Sequence, residues 1–458
     1  MRKYINNWLH KLLGKELDAK VRNYFLKGSY KSLLLQAAVS IFTFLTTIVI
    51  ARMAGDEGFG IYSLVFTWVS IISVGATLGL DDLVLKQLPV YQTKGKQSKI
   101  KGLLFWSNKW GLISGVGAAL IFALVVNLFT INGISEHVYY YNIALVSIPF
   151  FVLMHINQAS LRGLKYLGAG QLAEKVVQPF SFLIILVLAY LLYWSITDAE
   201  IILFRVISFG LAALMALYLL YHYLKEYKDS RIKTETTSQV WLSSCKYFAF
   251  MSLLYIINTR VDIVFLGFYE IPREQIAYYN VALKLSDIAL IPFMVVCTVT
   301  TPMFSKLYAE NKIKELQAFF TKTTQLACAL ITLILLAFVL LGPWLLSWYG
   351  AEFKEGYQVL MVLCGIKFLH VFVGPVSYLL MMTNLEKQAT YSLLVSVAVT
   401  VLLHMILIPR YQIEGAAYAT LGGLVIFELL VSWTAYKRAG IITTVFGKFL
   451  NKKGNPSK

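Results

Sequence analysis

Long apolar runs recur along the chain and are separated by short polar segments. They lie near residues 32–53, 60–80, 103–129, 138–160, 174–194, 199–223, 244–268, 276–304, 323–345, 356–382, 389–408 and 412–436. Because about 20 helical residues cross a hydrocarbon core of about 30 Å, each run predicts a membrane-spanning helix. The pattern predicts an all-α polytopic membrane protein with twelve transmembrane helices. The third and eighth runs are long enough to tilt or kink.

Residues 1–30 show a different pattern. Apolar side chains recur at three- and four-residue steps from Ile5 to Phe25, and lysines and arginines fill the positions between them. This spacing predicts a basic amphipathic helix that lies in the membrane interface. The alternative is a cytosolic helix docked on the protein itself. A signal peptide is excluded, because it would need a continuous apolar core and a small-residue cleavage site.

Composition supports a membrane solvent and gives the orientation. Of 458 residues, 58% are hydrophobic and 14% charged, whereas an average soluble domain has about 25% charged residues. With a cytoplasmic N-terminus, 32 of the 41 lysines and arginines fall on inside segments and four in outside loops. Cytoplasmic loops carry this excess in membrane proteins, so both termini are predicted to be cytoplasmic. The net charge of +17 therefore reflects topology and not a nucleic-acid partner.

The longest polar stretch divides the chain in two, since six predicted spans precede it and six follow. The predicted organisation is an interfacial helix at 1–30, an N-lobe at 31–224, a cytoplasmic linker at 225–242, a C-lobe at 243–438 and a basic cytoplasmic tail at 439–458. Six crossings return the chain to the same side, so the two six-helix lobes would share one orientation. Repeats related by an axis along the membrane normal are typical of transporters.

Charged side chains within the spans need an explanation, because each costs about 2.5–3.5 kcal/mol at the bilayer centre on insertion scales. Away from the ends of the spans, bases outnumber acids by five to three. One hypothesis is a water-filled, net-positive cavity between the lobes that binds phosphate groups. Its candidate substrate-binding bases are Arg260, Arg205, Lys284 and Lys367. A planar guanidinium can bond two phosphate oxygens, whereas a lysine acts as a point charge.

The alternative is that these charges neutralise one another. Asp262 would pair with Lys284, or Lys284 with Asp287 at i+3. Arg205 and Lys367 have no acid within their own spans away from the span ends, which favours the cavity for them.

Five acids are candidates for an ion-coupling site or a gate. Glu428 lies deep in the last span, where it would bind a coupling proton or Na⁺ or pair with a base on another helix. Asp262 and Asp287 are further coupling candidates. Asp81 and Asp82 lie at the inner end of the second span, where a gate salt bridge to a basic loop is the hypothesis.

Sequence motifs for enzymatic chemistry are absent. No phosphate-binding G-x-x-x-x-G-K-[ST] loop, H-E-x-x-H motif or nucleophile elbow occurs in the sequence. The four cysteines are far apart and lack metal-ligand spacing. We therefore expect no catalytic residue, no metal site and no cofactor beyond a coupling ion, and the protein is predicted not to be an enzyme.

Four short motifs carry a resemblance to a known family. They are ARMAGDEGFGIYS at 51–63, GLDD at 79–82, LRGLKY at 161–166 and IEGAAYAT at 413–420. Together they resemble the polysaccharide-biosynthesis flippases, the Wzx-like transporters of the multidrug/oligosaccharidyl-lipid/polysaccharide superfamily, over most of residues 32–436. Gly58 and Gly60 would permit a tight outside turn. Gly415, Ala416, Ala417 and Ala419 would let the last helix approach a neighbour closely.

The resemblance implies a flippase in the inner (plasma) membrane. It would move a polyprenyl-diphosphate-linked oligosaccharide to the outer leaflet by alternating access, coupled to Na⁺ or H⁺. Its expected partners are this glycolipid, membrane lipids and the polysaccharide polymerase machinery, with no nucleic acid. The alternatives are a cation-coupled multidrug exporter of the same superfamily and a peptidoglycan-precursor flippase, for which fourteen spans are expected. A membrane-embedded glycan polymerase or ligase would need a large outside loop.

Overall fold

In the computed structural model, residues 19–131, 138–166, 168–192, 196–224, 238–383 and 385–447 are described, and every regular element among them is helical. The α-helices are α1 (Ala19–Thr77), α2 (Leu80–Thr93), α3 (Gln97–Ile131), α4 (Val138–Leu145), α5 (Ser147–Gly163), α6 (Ala169–Leu172), α7 (Gln178–Leu192), α8 (Asp198–Tyr223), α9 (Ser238–Phe268), α10 (Arg273–Ile288), α11 (Ile291–Ala309), α12 (Ile313–Ser347), α13 (Tyr357–Val373), α14 (Val376–Met382) and α15 (Glu386–Thr434). Single π-helical turns span Ala173–Val177 and Ala435–Ala439, and a 3₁₀ turn spans Glu352–Gly356. Parts of the predicted interfacial helix (1–18), linker (225–237) and tail (448–458) lie outside the described residues.

Among the described residues, nine helical segments are long and apolar enough to cross a membrane, and a bent pair brings the number to ten. The bent pair is α10 with the first part of α11, which meet at 43°. It occupies the eighth predicted span, where the length of the apolar run predicted a tilt or kink. The chain is therefore an all-helical, multi-pass membrane protein.

Two of the long helices are interrupted by one non-helical residue each. In α1 the break is at Gly55, with φ 72°, and in α15 it is at Gln412, with φ 49°. Glycine adopts this left-handed region without a steric penalty, whereas a glutamine does so at some cost in strain. Gly55 falls between the first two predicted spans and Gln412 at the first residue of the last one, so α1 and α15 each contain two helical segments.

The chain forms two compact units. One is Phe42–Ala277, and the other consists of Met1–Ile41 and Tyr278–Lys458. The predicted lobes divide the chain differently, because α9 belongs here to the first unit and was assigned to the second lobe. The lobe boundaries at 31–224 and 243–438 stay predictions.

The first unit is held by helix packing through small and aromatic side chains. Alanines of α8 pack against Met154 of α5 and Ala173, with Phe209 at the same cluster. At another place α9 is tied to the preceding helices, because Trp241 Nε1 donates to the Tyr91 hydroxyl at 3.0 Å. The Trp241 ring also packs on Trp106 at 5.4 Å between centroids.

In the second unit, the two segments of α15 pack against each other across the break at Gln412. Ser396 Oγ donates to the Gly423 carbonyl at 2.8 Å, and a Cβ on Gly415 would collide with the Leu407 carbonyl. Ala416, Ala417 and Ala419 are fully buried. Gly415 therefore allows the close approach of two segments that form a helical hairpin within α15, while the three alanines are buried.

The chain after the π-helical turn Ala435–Ala439 continues as a non-helical strap, residues 440–446. The Ile442 backbone forms two hydrogen bonds with the Gln317 side chain, at 2.7 and 2.9 Å. The backbone amides of Thr444 and Val445 donate to the carbonyls of Val373 and Phe372 at the end of α13, both at 3.2 Å. The strap therefore supplies donors to a helix end whose carbonyls have no partner within the helix.

Gly58 and Gly60 serve packing and not the turn that was predicted for them. The turn is made by Gly55, while both downstream glycines are helical. A Cβ on Gly60 would collide with the Arg273 carbonyl at the start of α10, and one on Gly58 would collide with the Asp198 carboxylate. The absence of these two side chains lets other parts of the same unit approach α1.

We expect Gly60→Ala to destabilise the protein by about 1–3 kcal/mol, because the methyl group must displace backbone atoms of Arg273. The measurement is thermal unfolding of the detergent-purified chain. Gly117→Ala is the matched control, since Gly117 is helical and no atom lies within 4 Å of its Cβ position. An unchanged melting temperature for Gly60→Ala would contradict the close contact.

Candidate functional site

An ion pair joins α13 to the last turn of α10. Lys367 Nζ lies 2.7 Å from Asp287 Oδ1. The lysine side chain is 17% exposed and the aspartate side chain 57% exposed. The acid comes from a different helix, so an inventory of acids within the span of Lys367 does not find it. The carboxylate that was one expected partner of Lys284 therefore pairs with Lys367. Lys284 lies half-buried one turn earlier on α10, and its pairing stays a prediction.

A second acid–base pair lies one turn further along α13. His370 Nδ1 is 2.6 Å from Glu428 Oε1, and the Glu428 side chain is only 5% exposed. The Phe293 ring of α11 packs edge-on against the imidazole, at 5.1 Å between centroids. Of the two roles considered for Glu428, this geometry shows pairing with a base on another helix. Ion coupling through Glu428 stays a prediction.

Lys367 and His370 lie three residues apart and so share one face of α13. The ion-pair partner of Lys367 and the ring that packs on His370 lie on opposite sides of the break between α10 and α11. Asp287 precedes the 43° bend and Phe293 follows it. One face of α13 thus holds both arms of a bent span, by an ion pair on one arm and an aromatic contact on the other.

Arg205 of α8 lies in the first unit and is held without a carboxylate. Its guanidinium stacks on the rings of Phe182 and Phe209, at 4.9 and 5.1 Å from their centroids. With the Gln178 amide oriented by its hydrogen-bond network, the amide oxygen accepts from the guanidinium at 2.6–3.2 Å and from the Ser208 hydroxyl at 3.2 Å. The positive charge is stabilised by cation–π stacking and a neutral acceptor, and it is not cancelled.

Arg260 and Asp262 lie in α9 and face different surroundings. Arg260 is half-buried, and no acidic side chain of the described chain lies within 4.0 Å of it. Asp262 is 5% exposed, and its Oδ1 accepts a hydrogen bond from the Ile263 amide at 2.9 Å. The predicted pairing of Asp262 with Lys284 stays a prediction. After Arg205, Arg260 is therefore the second arginine in a span whose guanidinium has no carboxylate partner in the described part of the chain.

Asp81 and Asp82 begin α2, beyond the apolar part of α1. Asp82 Oδ2 accepts a hydrogen bond from the Ser252 hydroxyl of α9 at 3.3 Å. Burial raises the pKa of Asp82 and the neighbouring Asp81 raises it further, while the Ser252 hydrogen bond and the charge of Arg162 act in the opposite direction. The hypothesis of a gate salt bridge stays a prediction, since the hydrogen-bond partner shown here is a neutral serine.

The sequence reasoning missed the neutral groups that hold the charges. Gln178 and Phe182 are four residues apart on α7, and Arg205 and Phe209 are four residues apart on α8. Each pair lies on one helix face, so an i,i+4 comparison of the two spans could have found the aromatic and amide surroundings of Arg205. Ser252 and Phe293 carry no comparable signal in the sequence. Within the part of the chain that the structure describes, no group of three or more His, Cys, Asp or Glu side chains could hold a metal.

Comparisons with known proteins agree with this architecture. A family model described as "Polysaccharide biosynthesis protein" matches residues 25–308, more than half of the chain. No curated protein matches the sequence. A solved inward-facing multidrug resistance MATE family transporter of the MOP superfamily is similar, with a TM-score of 0.72 and 13% identity over 89% of this chain and 98% of that one.

A second similar structure is a MOP superfamily transporter from Pyrococcus furiosus. Its binding pocket is described as having a reverse polarity that suggests a different function. The TM-score is 0.64 and the identity 14%, over 91% of this chain and 95% of that one. At these identities the likenesses show the fold, which is that of MATE-type transporters of the MOP superfamily.

The raised pKa of Asp82 predicts a pH-dependent stability difference. In the unfolded chain Asp82 ionises at the ordinary aspartate pKa of about 3.9. The stability contributed by its protonated form is therefore complete below that value and is lost as the pH rises through the higher native pKa. Asparagine stays neutral, so Asp82→Asn should unfold at a higher temperature than wild type near pH 7.

The advantage of Asp82→Asn should shrink towards zero as the pH falls to about 4, where wild-type Asp82 is also protonated. Melting temperatures of both proteins across this range measure it. A wild type that is more stable than Asp82→Asn near pH 7 would show that the ionised carboxylate stabilises the fold.

The His370–Glu428 pair predicts that the stability losses of single and double variants are not additive. His370→Ala leaves the buried Glu428 carboxylate without its base and should destabilise the protein by about 3 kcal/mol. Glu428→Gln retains a hydrogen-bonding group and should cost about 1 kcal/mol. The double variant should be more stable than His370→Ala alone, because the buried charge is gone. Thermal unfolding of the four proteins tests this, and additive losses would contradict the pairing.

Proposed function

Because the chain belongs to the polysaccharide biosynthesis protein family, we propose that it is a transporter that flips a lipid-linked oligosaccharide. The substrate is a glycan attached to polyprenyl diphosphate, and it moves from the cytoplasmic to the outer leaflet of the plasma membrane by alternating access. The family and the MOP transporter fold support transport in polysaccharide synthesis. They do not bear on the identity of the glycan, so the substrate class is argued from the charges.

One observation carries the choice of an anionic substrate. Arg205 and Arg260 lie in apolar helices, and neither guanidinium has a carboxylate partner within the described part of the chain. An uncancelled charge in a membrane span is costly and is retained for function. A guanidinium presents a planar fork of donors that matches phosphate oxygens. A diphosphate supplies two such groups next to the lipid.

The proposal includes a twelve-span topology with both termini in the cytoplasm. The described spans reach ten when the bent pair is included, and two of them contain a break at Gly55 or Gln412. If each break is a turn at the membrane surface, the chain crosses twelve times. Na⁺ or H⁺ is the proposed coupling ion, and the polysaccharide polymerase machinery is the proposed partner that receives the flipped glycolipid.

The competing function is export of multidrug substrates, which the similarity to a multidrug resistance transporter favours. Cationic drugs would require acidic groups to attract them. Two acids in the spans of the second unit are engaged, because Asp287 pairs with Lys367 and Glu428 with His370. This charge distribution favours an anionic substrate over a cationic one.

The sidedness of lipid-linked oligosaccharides in a strain that lacks the gene tests the function. We expect these glycolipids to accumulate on the cytoplasmic face, and wild type to restore outward transport. Arg260→Ala should reduce the transport rate by about tenfold to a hundredfold, as expected for loss of a charge-assisted phosphate contact worth about 1.5–3 kcal/mol. Lys94→Ala is the control, since Lys94 is an exposed base in the polar turn between α2 and α3 and lies outside the spans.

Two outcomes would change the proposal. Normal sidedness in the deletion strain, with altered drug sensitivity, would favour the exporter over the flippase. Full rescue by Arg260→Ala would retain the flippase and remove Arg260 from the diphosphate path.

A further inference from the structure

The Lys367–Asp287 pair is asymmetric in its exposure. The lysine side chain is largely covered, while more than half of the aspartate side chain is accessible. Both residues lie in apolar spans, where a carboxylate facing lipid would be strongly unfavourable. The exposed face of Asp287 therefore borders water within the depth of the membrane. A water-borne group can reach this ion pair from the aspartate side.

Lys367 is chemically suited to bind a different anion in place of the carboxylate. Its ammonium has three donors, and the hydrogen bond to Asp287 Oδ1 uses one of them. An ammonium acts as a point charge with no fixed plane, so a phosphate oxygen can replace a carboxylate oxygen at the same distance. The adjacent acid does not compete, because Glu428 already contacts His370 at 2.6 Å.

We propose that Asp287 is an internal counter-ion that occupies Lys367 in the absence of substrate and is displaced by a phosphate group of the transported molecule. The proposal rests on the function inferred above, since it takes the substrate to be a diphosphate. In this role Asp287 is a specificity-determining residue. It neutralises an empty site and excludes anions too weak to compete with a carboxylate.

The exchange also acts on the bent span. Asp287 ties the end of α10 to α13, and the Phe293–His370 contact ties the start of α11 to the same face. Displacement of Asp287 releases the first arm of the bend while the second stays attached. Substrate binding thereby favours a different angle between α10 and α11, as a ligand does when it binds one of two conformations more tightly.

A purely structural ion pair would behave differently from an exchangeable one. In a structural pair, removal of either charge weakens the fold and leaves anion binding unchanged. In an exchangeable pair, the two charges have opposite effects on anion binding. Removal of Asp287 removes a competitor, whereas removal of Lys367 removes the site.

The experiment measures binding of inorganic pyrophosphate to the purified full-length chain by its concentration-dependent thermal stabilisation. Asp287→Asn should bind pyrophosphate about tenfold more tightly than wild type, a change of about 1.4 kcal/mol. Lys367→Gln should bind it at least tenfold more weakly. The double variant should bind as weakly as Lys367→Gln, and since it has no unpaired charge it tests the site even if Lys367→Gln fails to fold.

Glu310→Gln provides the matched control. Glu310 pairs with Lys312 at 3.0 Å at a loop between helices, and both side chains are exposed. Neutralising it changes the net charge by the same amount as Asp287→Asn, so its pyrophosphate affinity should equal that of wild type. If both variants bind pyrophosphate more tightly by the same factor, the change in net charge alone explains the effect, and the proposal is overturned.

Binding that is unchanged or weaker in Asp287→Asn would also overturn the proposal, and so would wild-type affinity in Lys367→Gln. The assay involves no transport, so it separates this proposal from the proposed function. If glycolipid sidedness is normal in the deletion strain but Asp287→Asn tightens pyrophosphate binding, counter-ion exchange stands and glycolipid flipping fails. If sidedness is disturbed and pyrophosphate binding is insensitive to Asp287, the reverse holds.

Discussion

Hydrocarbon offers no hydrogen bonds, and the structure depends on meeting that constraint within the protein. In unbroken helices the backbone groups hydrogen-bond to one another. Buried hydroxyls donate to carbonyls of the preceding turn, as Thr67 does to the Ser63 carbonyl at 2.7 Å. The constraint becomes acute where a helix ends at membrane depth. At the end of α13, two open carbonyls accept the amides of Val445 and Thr444. The strap is therefore part of the helix packing of the second unit.

The same constraint applies to charge, and the structure satisfies it in three ways. Lys367 pairs with a carboxylate, Glu428 contacts an imidazole, and Arg205 contacts aromatic faces and an amide oxygen. The consequences differ. A carboxylate cancels the charge of Lys367, whereas the aromatic faces and the amide preserve the charge of Arg205 while removing its guanidinium from lipid. A protein that must attract an anion into the membrane benefits from bases that are held, like Arg205, without a carboxylate.

The sequence predicts what depends on local composition and misses what depends on contacts between helices. The apolar runs predict an all-helical membrane fold because hydrophobic length alone determines membrane crossing. The motif resemblance is confirmed by the family match over residues 25–308. In contrast, the partner of Lys367 is 80 residues away in sequence and that of His370 is 58 away, so no spacing rule identifies them. The role of Gly60 was misjudged for the same reason, since the backbone that needs its space belongs to Arg273.

Broken helices and charged pairs lie close together in the second unit. A continuous helix resists bending because every turn is hydrogen-bonded, so a change of shape concentrates where the ladder is already interrupted. The interruption between α10 and α11 lies between Asp287 and Phe293, and the interruption after α13 lies four residues beyond His370. In the proposed counter-ion exchange, charged contacts next to such breaks would couple helix geometry to anion binding, because a charged contact can be exchanged with a solute while apolar packing cannot. A transporter that must couple binding to a change of shape needs both features in the same place.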